Sequence, residues 1–249
     1  MLIISERHKK EDMELWKEYE ELDTINSVSI KLFKKENEAR DSIQDFVKDK
    51  PAYVGVSWGK DSVVVADLCL RNNINLPLVH LYCIPSHSKE CDLVRDSFFK
   101  IHPHADYHEI ICDYGSIYAR NLSPTEQDIE TDKVWYKTWK KVNHDVIDRH
   151  ISGIRKEESG IRRMRMGRFG ISTEHTCAPI GYWTHDDVFA YLKKYDLPVH
   201  PNYAMLGNGR WDRKNIRVAE IGDIHGTGFG RSEWEREYYP DILARLARG

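Results

Sequence analysis

Tyr53-Val54-Gly55-Val56-Ser57-Trp58-Gly59-Lys60-Asp61-Ser62, running on through Val63-Val64-Val65-Ala66-Asp67-Leu68, is the stretch that decides how the chain reads. Its apolar start predicts a buried strand over 52–57, its centre a turn holding Gly59, and its continuation a helix over 61–72. A strand that feeds a helix through a short polar turn aims loop N–H groups and the positive end of the helix at one point. Lys60 and the hydroxyls of Ser57 and Ser62 stand beside that point, so the stretch forms a cradle for an anion. It is not a Walker A loop, which requires Gly, four residues, then Gly-Lys-Ser/Thr.

Beyond the cradle the pattern alternates. Strands are expected over 78–82 and 107–112, and helices over 89–101 and 132–149, the last with Trp135, Trp139, Val142 and Val146 on one side. This rhythm predicts an α/β fold, a mostly parallel twisted sheet sandwiched between helical layers, with ligands beyond the carboxyl ends of the strands. His150 to Arg155 reads as a short strand running into a polar loop through Arg163. Thr184 with Asp187 stands at capping-box spacing, which predicts a helix from there to about Tyr195.

Upstream, residues 5–49 are charged and helical, with Leu15, Trp16, Tyr19, Leu22, Ile25, Val28 and Leu32 as a one-sided apolar stripe. They are expected to form an N-terminal helical arm, residues 1–50, in front of a nucleotide-binding domain over 51–249. The arm would pack on that domain or on a second copy of the chain in a homodimer.

With 37 basic and 40 acidic residues the net charge is -3, so no global basic field marks a nucleic-acid binder. The five cysteines, at 69, 83, 91, 112 and 177, form no CxxC pair, which points to a reducing compartment without a disulfide framework. The N-terminus turns polar too early for a signal peptide, and no apolar run approaches the roughly 20 residues of a membrane span. The expectation is a cytoplasmic protein with no membrane partner.

Three separated elements share one order. Ser57-Trp58-Gly59-Lys60-Asp61-Ser62 is followed by Gly153-Ile154-Arg155-Lys156-Glu157-Glu158-Ser159 with Arg162, then by Pro179-Ile180 with Trp183-Thr184 and Asp187-Val188. Together they resemble the phosphoadenosine phosphosulfate (PAPS) reductase and ATP sulfurylase family of PP-loop ATP pyrophosphatases. The resemblance implies an adenine nucleotide α-hydrolase-like, Rossmann-related fold that binds ATP with Mg²⁺ or a sulfated adenosine nucleotide. It implies nucleotide contacts from Ser57, Trp58, Gly59, Lys60, Asp61, Ser62, Tyr82, Cys83, Arg155, Ser159 and Arg162, with Lys60, Asp61 and Arg155 as the catalytic groups. Asp61 would hold Mg²⁺, directly or through water, or else cap the helix that opens at the loop. Trp58 departs from the small residue usual at its position; its ring either lines the pocket or shows that this turn needs no positive φ.

No cysteine follows Cys177, so the tail nucleophile of the PAPS reductases is missing. The paired cysteines of an iron–sulfur cluster are missing too, and no such cluster is expected. That favours the ATP-using branch, in which AMP is attached to an acceptor and sulfur then replaces the activated oxygen, as in bacterial DNA phosphorothioation with a cysteine desulfurase as partner. A sulfonucleotide reductase, an ATP sulfurylase-like enzyme and a catalytically weak scaffold for a desulfurase stay open as alternatives.

Other groups were candidates on position alone. Cys177 could relay sulfur as a persulfide if nearby arginines lower its pKa, or be a buried apolar residue. His102, His104 and His108 with Cys112 fit no standard zinc spacing. Gly222 to Arg231 resembles a closing lid that would bring Arg231 to the phosphates. Arg210, Trp211, Arg213, Lys214 and Arg217 form a basic, aromatic group suited to a nucleic-acid backbone.

Overall fold

The computed structural model describes residues 1–84, 87–120, 122–145, 147–218, 221–222 and 230–246. Two helices open the chain, α1 (Lys10–Ser27) and α2 (Ile30–Val47). Then come β1 (Tyr53–Gly55), α3 (Lys60–Arg71), β2 (Leu78–Ile84), α4 (Lys89–Ile101), β3 (Tyr107–Asp113), α5 (Gly115–Tyr118) and α6 (Pro124–Asp145). The second half holds β4 (His150–Ile151), α7 (Gly160–Phe169), β5 (Thr176–Cys177), α8 (His185–Lys194), α9 (Arg231–Tyr238) and α10 (Pro240–Leu246).

The five strands form one sheet in the order β3-β2-β1-β4-β5. Every pairing is parallel, as the alternating pattern requires. Strand alternation sends Tyr53 and Val79 to one face, where Val142 of α6 covers them. Val54, Leu78, Ile151 and Cys177 face the other way, into the main core with α2, α3, α4 and α8. The result is the three-layer α/β sandwich that the sequence predicts.

Asp67, fully buried on α3, pins that layer. It accepts from Arg71 Nε and Nη2 (both 2.8 Å), from Tyr191 Oη (2.7 Å), and bonds His102 Nε2 (2.7 Å). Burial opposes its charge, but His102, Arg71 and Tyr191 together hold the carboxyl below the usual range. His102 is thereby occupied structurally. Among the described residues no group of three or more His, Cys, Asp or Glu could hold a metal ion.

Elements differ from their sequence reading where a local signal was overlooked. α6 begins at 124 rather than 132 because Ser123 and Glu126 exchange capping bonds at the helix start (2.9 and 3.4 Å). Val146, read onto that helix, lies outside the described residues. The arm's stripe is not continuous: Ser29 caps a new helix by accepting from Leu32 N (3.2 Å), which reorients the chain. Trp16 and Leu32 are buried, while Leu22, Ile25 and Val28 are exposed. α1 packs along α8, and Leu2 bridges in parallel to Val199. Among the described residues no helix is long and apolar enough to cross a membrane.

Candidate functional site

The loop after β1 is built by opposing costs. Trp58 turns the chain with φ at 60°, a left-handed conformation that costs a bulky residue about 1–2 kcal/mol. Its indole is buried against Phe98, Phe99 and Tyr107, at centroid distances of 5.7, 5.6 and 5.6 Å. Packing of a fully buried tryptophan is worth about 3–5 kcal/mol, so burial outweighs the strain. Both sequence readings of Trp58 are corrected: the turn does need a positive φ, and the ring anchors the loop from the core instead of lining the pocket.

Side chains then fix the turn. Ser57 N–H donates to Ser62 Oγ (3.2 Å), the Ser62 hydroxyl donates to the Gly59 carbonyl (3.0 Å), and the two hydroxyl oxygens stand 3.5 Å apart. Gly59 caps α3, whose first-turn N–H groups have no intrahelical acceptors. That of Lys60 donates to Tyr203 Oη (3.2 Å), leaving those of Asp61 and Ser62 for a ligand.

Lys60 and Asp61 are a buried pair at this helix start. Lys60 Nζ lies 2.7 Å from Asp61 Oδ2 and 5.1 Å from the Tyr203 ring centroid. Burial alone would lower the Lys60 pKa, but Asp61 outweighs it, and the ammonium ends above its ordinary value. Burial likewise opposes charge on Asp61, and Lys60 and Arg155 reverse it, holding the carboxylate below its usual range. Arg155 Nε donates to Asp61 Oδ1 (2.6 Å) and its Nη1 to Glu157 Oε2 (2.7 Å). Glu157 in turn accepts from His185 N–H at the start of α8 (2.7 Å).

This chain of charges corrects three expectations. Arg155 is buried behind the loop and braces Asp61, so it is not a free fork facing a phosphate. Asp61 makes no capping bond, and each of its oxygens already carries a cationic donor. A Mg²⁺ ligated directly by Asp61 would have to displace Lys60 or Arg155, so the residues present do not fit that role.

Gly153 makes the approach of these two elements possible. A Cβ there would meet the Asp61 backbone carbon at 2.7 Å and its oxygen at 2.9 Å, and backbone cannot swing aside. Gly153→Ala should therefore destabilise the fold by about 1–3 kcal/mol and displace the loop. A thermal melt and a nucleotide titration check this; unaltered binding with an unaltered melt would contradict it.

In front of the loop opens a cavity of about 750 Å³, a size suited to a small-molecule ligand. Ser57, Gly59, Lys60, Asp61, Ser62 and Arg162 line it, joined by Arg217. Away from the loop the wall is apolar, with Val56, Val79, Leu81, Cys83, Trp139 and Val142; Arg165 stands farther along, bonded to Thr176 Oγ1 (2.9 Å). Arg162 pairs with Glu158, and Arg217 Nη2 reaches the Glu158 carbonyl (3.5 Å).

Other predicted residues fall elsewhere. Tyr82 turns to the other face of β2 and stacks on His87 at 3.7 Å between centroids. The Ser159 hydroxyl accepts from Arg162 N–H (3.2 Å) and caps α7. The polar loop expected through Arg163 is thus the start of a helix. Cys177 is sealed beneath α2, near the Ser42 carbonyl, and burial pushes its thiol up to about 12, the opposite of an activated relay.

The basic group at 210–217 is dispersed. Arg213 and Trp211 are buried, Arg210 pairs with Glu237 (3.3 Å), Lys214 pairs with Asp212 (2.9 Å), and Arg217 faces the cavity. Residues 223–229 of the proposed lid lie outside the described residues. Arg231 is buried, with Nε donating to Glu235 (2.7 Å) and Nη1 to the Arg217 carbonyl (2.7 Å).

Sequence reasoning missed Tyr203, His80, Trp139 and Arg165 in the cavity wall. Arg165 lies one helical turn beyond Arg162 and would have followed from reading α7 as a helix. Tyr203 reaches Lys60 from 143 residues away, and no local pattern announces it.

Comparison with known proteins shows the family and the fold. The profile of the family described as "Phosphoadenosine phosphosulfate reductase domain" matches residues 51–228. No curated protein matches the chain. Among solved structures, a PAPS reductase from Candida auris, in a phosphate complex, superposes with a TM-score of 0.52 at 14% identity, covering 76% of this chain and 89% of that one. An NMN synthetase from Francisella tularensis superposes with a TM-score of 0.50 at 14% identity, covering 68% of this chain and 73% of that one. These likenesses extend to the fold.

Proposed function

The chain belongs to the phosphoadenosine phosphosulfate reductase domain family, and on that premise we propose that it is an ATP pyrophosphatase. It binds ATP in the cavity, cleaves the bond between the α- and β-phosphates, and transfers AMP to an acceptor oxygen that sulfur then replaces. DNA undergoing phosphorothioate modification is the acceptor we assign, with a cysteine desulfurase or comparable protein supplying the sulfur.

The observation that carries this reading is that Lys60, Arg162, Arg217 and the Ser57 hydroxyl line one cavity together with the first turn of α3, in a wall that is otherwise mainly apolar. Phosphoryl chemistry asks for donors fixed before charge develops on the departing group. A triphosphate concentrates its charge at one end of the nucleotide, as these donors are concentrated. Val56, Val79 and Leu81 offer the apolar surface that a base requires.

One observation favours a second reading, a sulfonucleotide reductase. Cys83 borders the cavity and pairs in register with Cys112 on β3. Hydrogen bonding from Cys83 holds the Cys112 thiol below its ordinary pKa, against burial, with Tyr114 and Thr138 assisting. Parallel assays separate the two readings: ATP with Mg²⁺ in one, PAPS with a thiol donor in the other. Pyrophosphate and AMP from ATP, with PAPS untouched, are expected. Sulfite from PAPS that disappears in Cys83→Ser, with ATP intact, would establish the reductase instead.

A further inference from the structure

α7 is a helix turned inside out. Residues at i, i+3, i+4 and i+7 share one stripe, which in a surface helix normally faces the core. Here that stripe is Ile161, Met164, Arg165 and Arg168, and it faces solvent: Ile161 is 76% exposed and Met164 70%. Of ten residues only Met166 is buried. The helix carries Arg162, Arg163, Arg165 and Arg168 without one acidic residue, in a chain of net charge -3. Among the described residues Arg163 and Arg168 have no ion-pair partner; the Arg168 guanidinium lies 5.1 Å from the centroid of the exposed Phe169 ring. Folding explains none of this composition, because so little of the helix is packed.

Position gives it a use. Arg162 and Arg165, on the same helix, line the cavity, so whatever lies along α7 is delivered to the nucleotide site. Cations call for a polyanion, and the exposed Ile161, Met164 and Phe169 call for flat apolar faces as well as phosphates. A duplex hides its base faces; a single strand presents them. We propose that α7 is the docking surface for the acceptor, a segment of single-stranded DNA whose phosphates meet Arg163 and Arg168 and whose bases lie on Met164 and Phe169. The assignment of DNA rests on the function proposed above; the charge and shape of the surface do not.

Fluorescence anisotropy with a labelled oligodeoxythymidylate of about 12 nucleotides, matched to the span of a short single-strand site, tests this. With Arg163 and Arg168 on phosphates, affinity should fall with salt at a log–log slope of about -1.4, from roughly 0.7 per phosphate. Arg163→Glu/Arg168→Glu should weaken binding at least about tenfold and reduce the slope by about 1.4. Met164→Ala/Phe169→Ala should weaken it several-fold with the slope unchanged, which separates base contact from phosphate contact. Both variants should melt like the parent and release pyrophosphate from ATP alone at the parent rate.

Equal affinity in the charge-reversal variant would overturn the docking surface. Tighter binding of a duplex, or of RNA of the same length, would overturn the assigned occupant. DNA binding that follows the predicted variants, without any pyrophosphate release, would leave the docking surface standing and remove the pyrophosphatase reading.

Discussion

Lys60→Ala is expected to lower pyrophosphate release by about 10²–10³-fold, the usual cost of removing one preorganised donor from a site where negative charge develops. The loss should fall on kcat more than on KM, because the ammonium is needed most by the departing pyrophosphate. Asp61 holds Lys60 charged and in place before any ligand arrives, so little reorganisation opposes its action. The fold should survive, since Asp61 keeps its bond to Arg155. Lys60→Arg should not restore the rate: the lysine is buried between Asp61 and the Tyr203 ring, and a planar guanidinium is not interchangeable with a compact ammonium. Turnover and a thermal melt measured on the same preparation check both halves. Unchanged turnover would remove the loop from the mechanism.

The largest stability loss is expected away from the cavity, in Arg213→Ala. Arg213 and Asp23 form a bidentate pair at 2.7 and 2.7 Å, with side chains only 2% and 4% exposed. The guanidinium also lies 4.1 Å from the Phe189 ring centroid and 4.3 Å from that of Tyr19. Removing it strands a buried carboxylate, at a cost of about 3–5 kcal/mol. For a chain of this size that corresponds to a fall in Tm on the order of 10 °C. The double substitution Asp23→Leu/Arg213→Met, which leaves no unpaired charge, should recover most of the loss. A single variant as stable as the parent would show that the pair does not hold α1 against the segment after Ala204. A double variant no better than the single one would place the cost in lost packing instead of in stranded charge.

How legible the molecule was in its sequence follows from the range of each interaction. The strand, turn and helix around Gly59 are local, and so is the Thr184–Asp187 capping box, where Thr184 N–H and its hydroxyl donate to Asp187 at 2.6 and 2.7 Å. α4 occupies Lys89–Ile101, as its apolar period predicts. α7 was illegible because it lacks the feature that marks a helix, a buried stripe, and carries glycines at 160 and 167. The two-residue strand β5 is likewise too short to leave a periodic trace.

Within the site, residue types pointed to an anion cradle, but not to which side of the loop each group would occupy. The resemblance implies a nucleotide contact from Arg155, but Asp61 and Glu157 hold it. Trp58 had two readings, and an aromatic nest from α4 and β3, out of reach of any local pattern, produced a third. Cys177 is beside the motif in sequence yet faces α2 through the sheet. In each case a deciding partner, Asp61 for Arg155, Phe98 for Trp58 and Ser42 for Cys177, is dozens of residues away or more.

The most direct test of the central claim is the identity of the products formed from ATP labelled at the α-phosphate, with Mg²⁺ present and single-stranded DNA offered as acceptor. The account predicts label in AMP or in an adenylylated acceptor, with one unlabelled pyrophosphate released for each. Label recovered in ADP, with inorganic phosphate released, would place the cleavage at the wrong bond and contradict it.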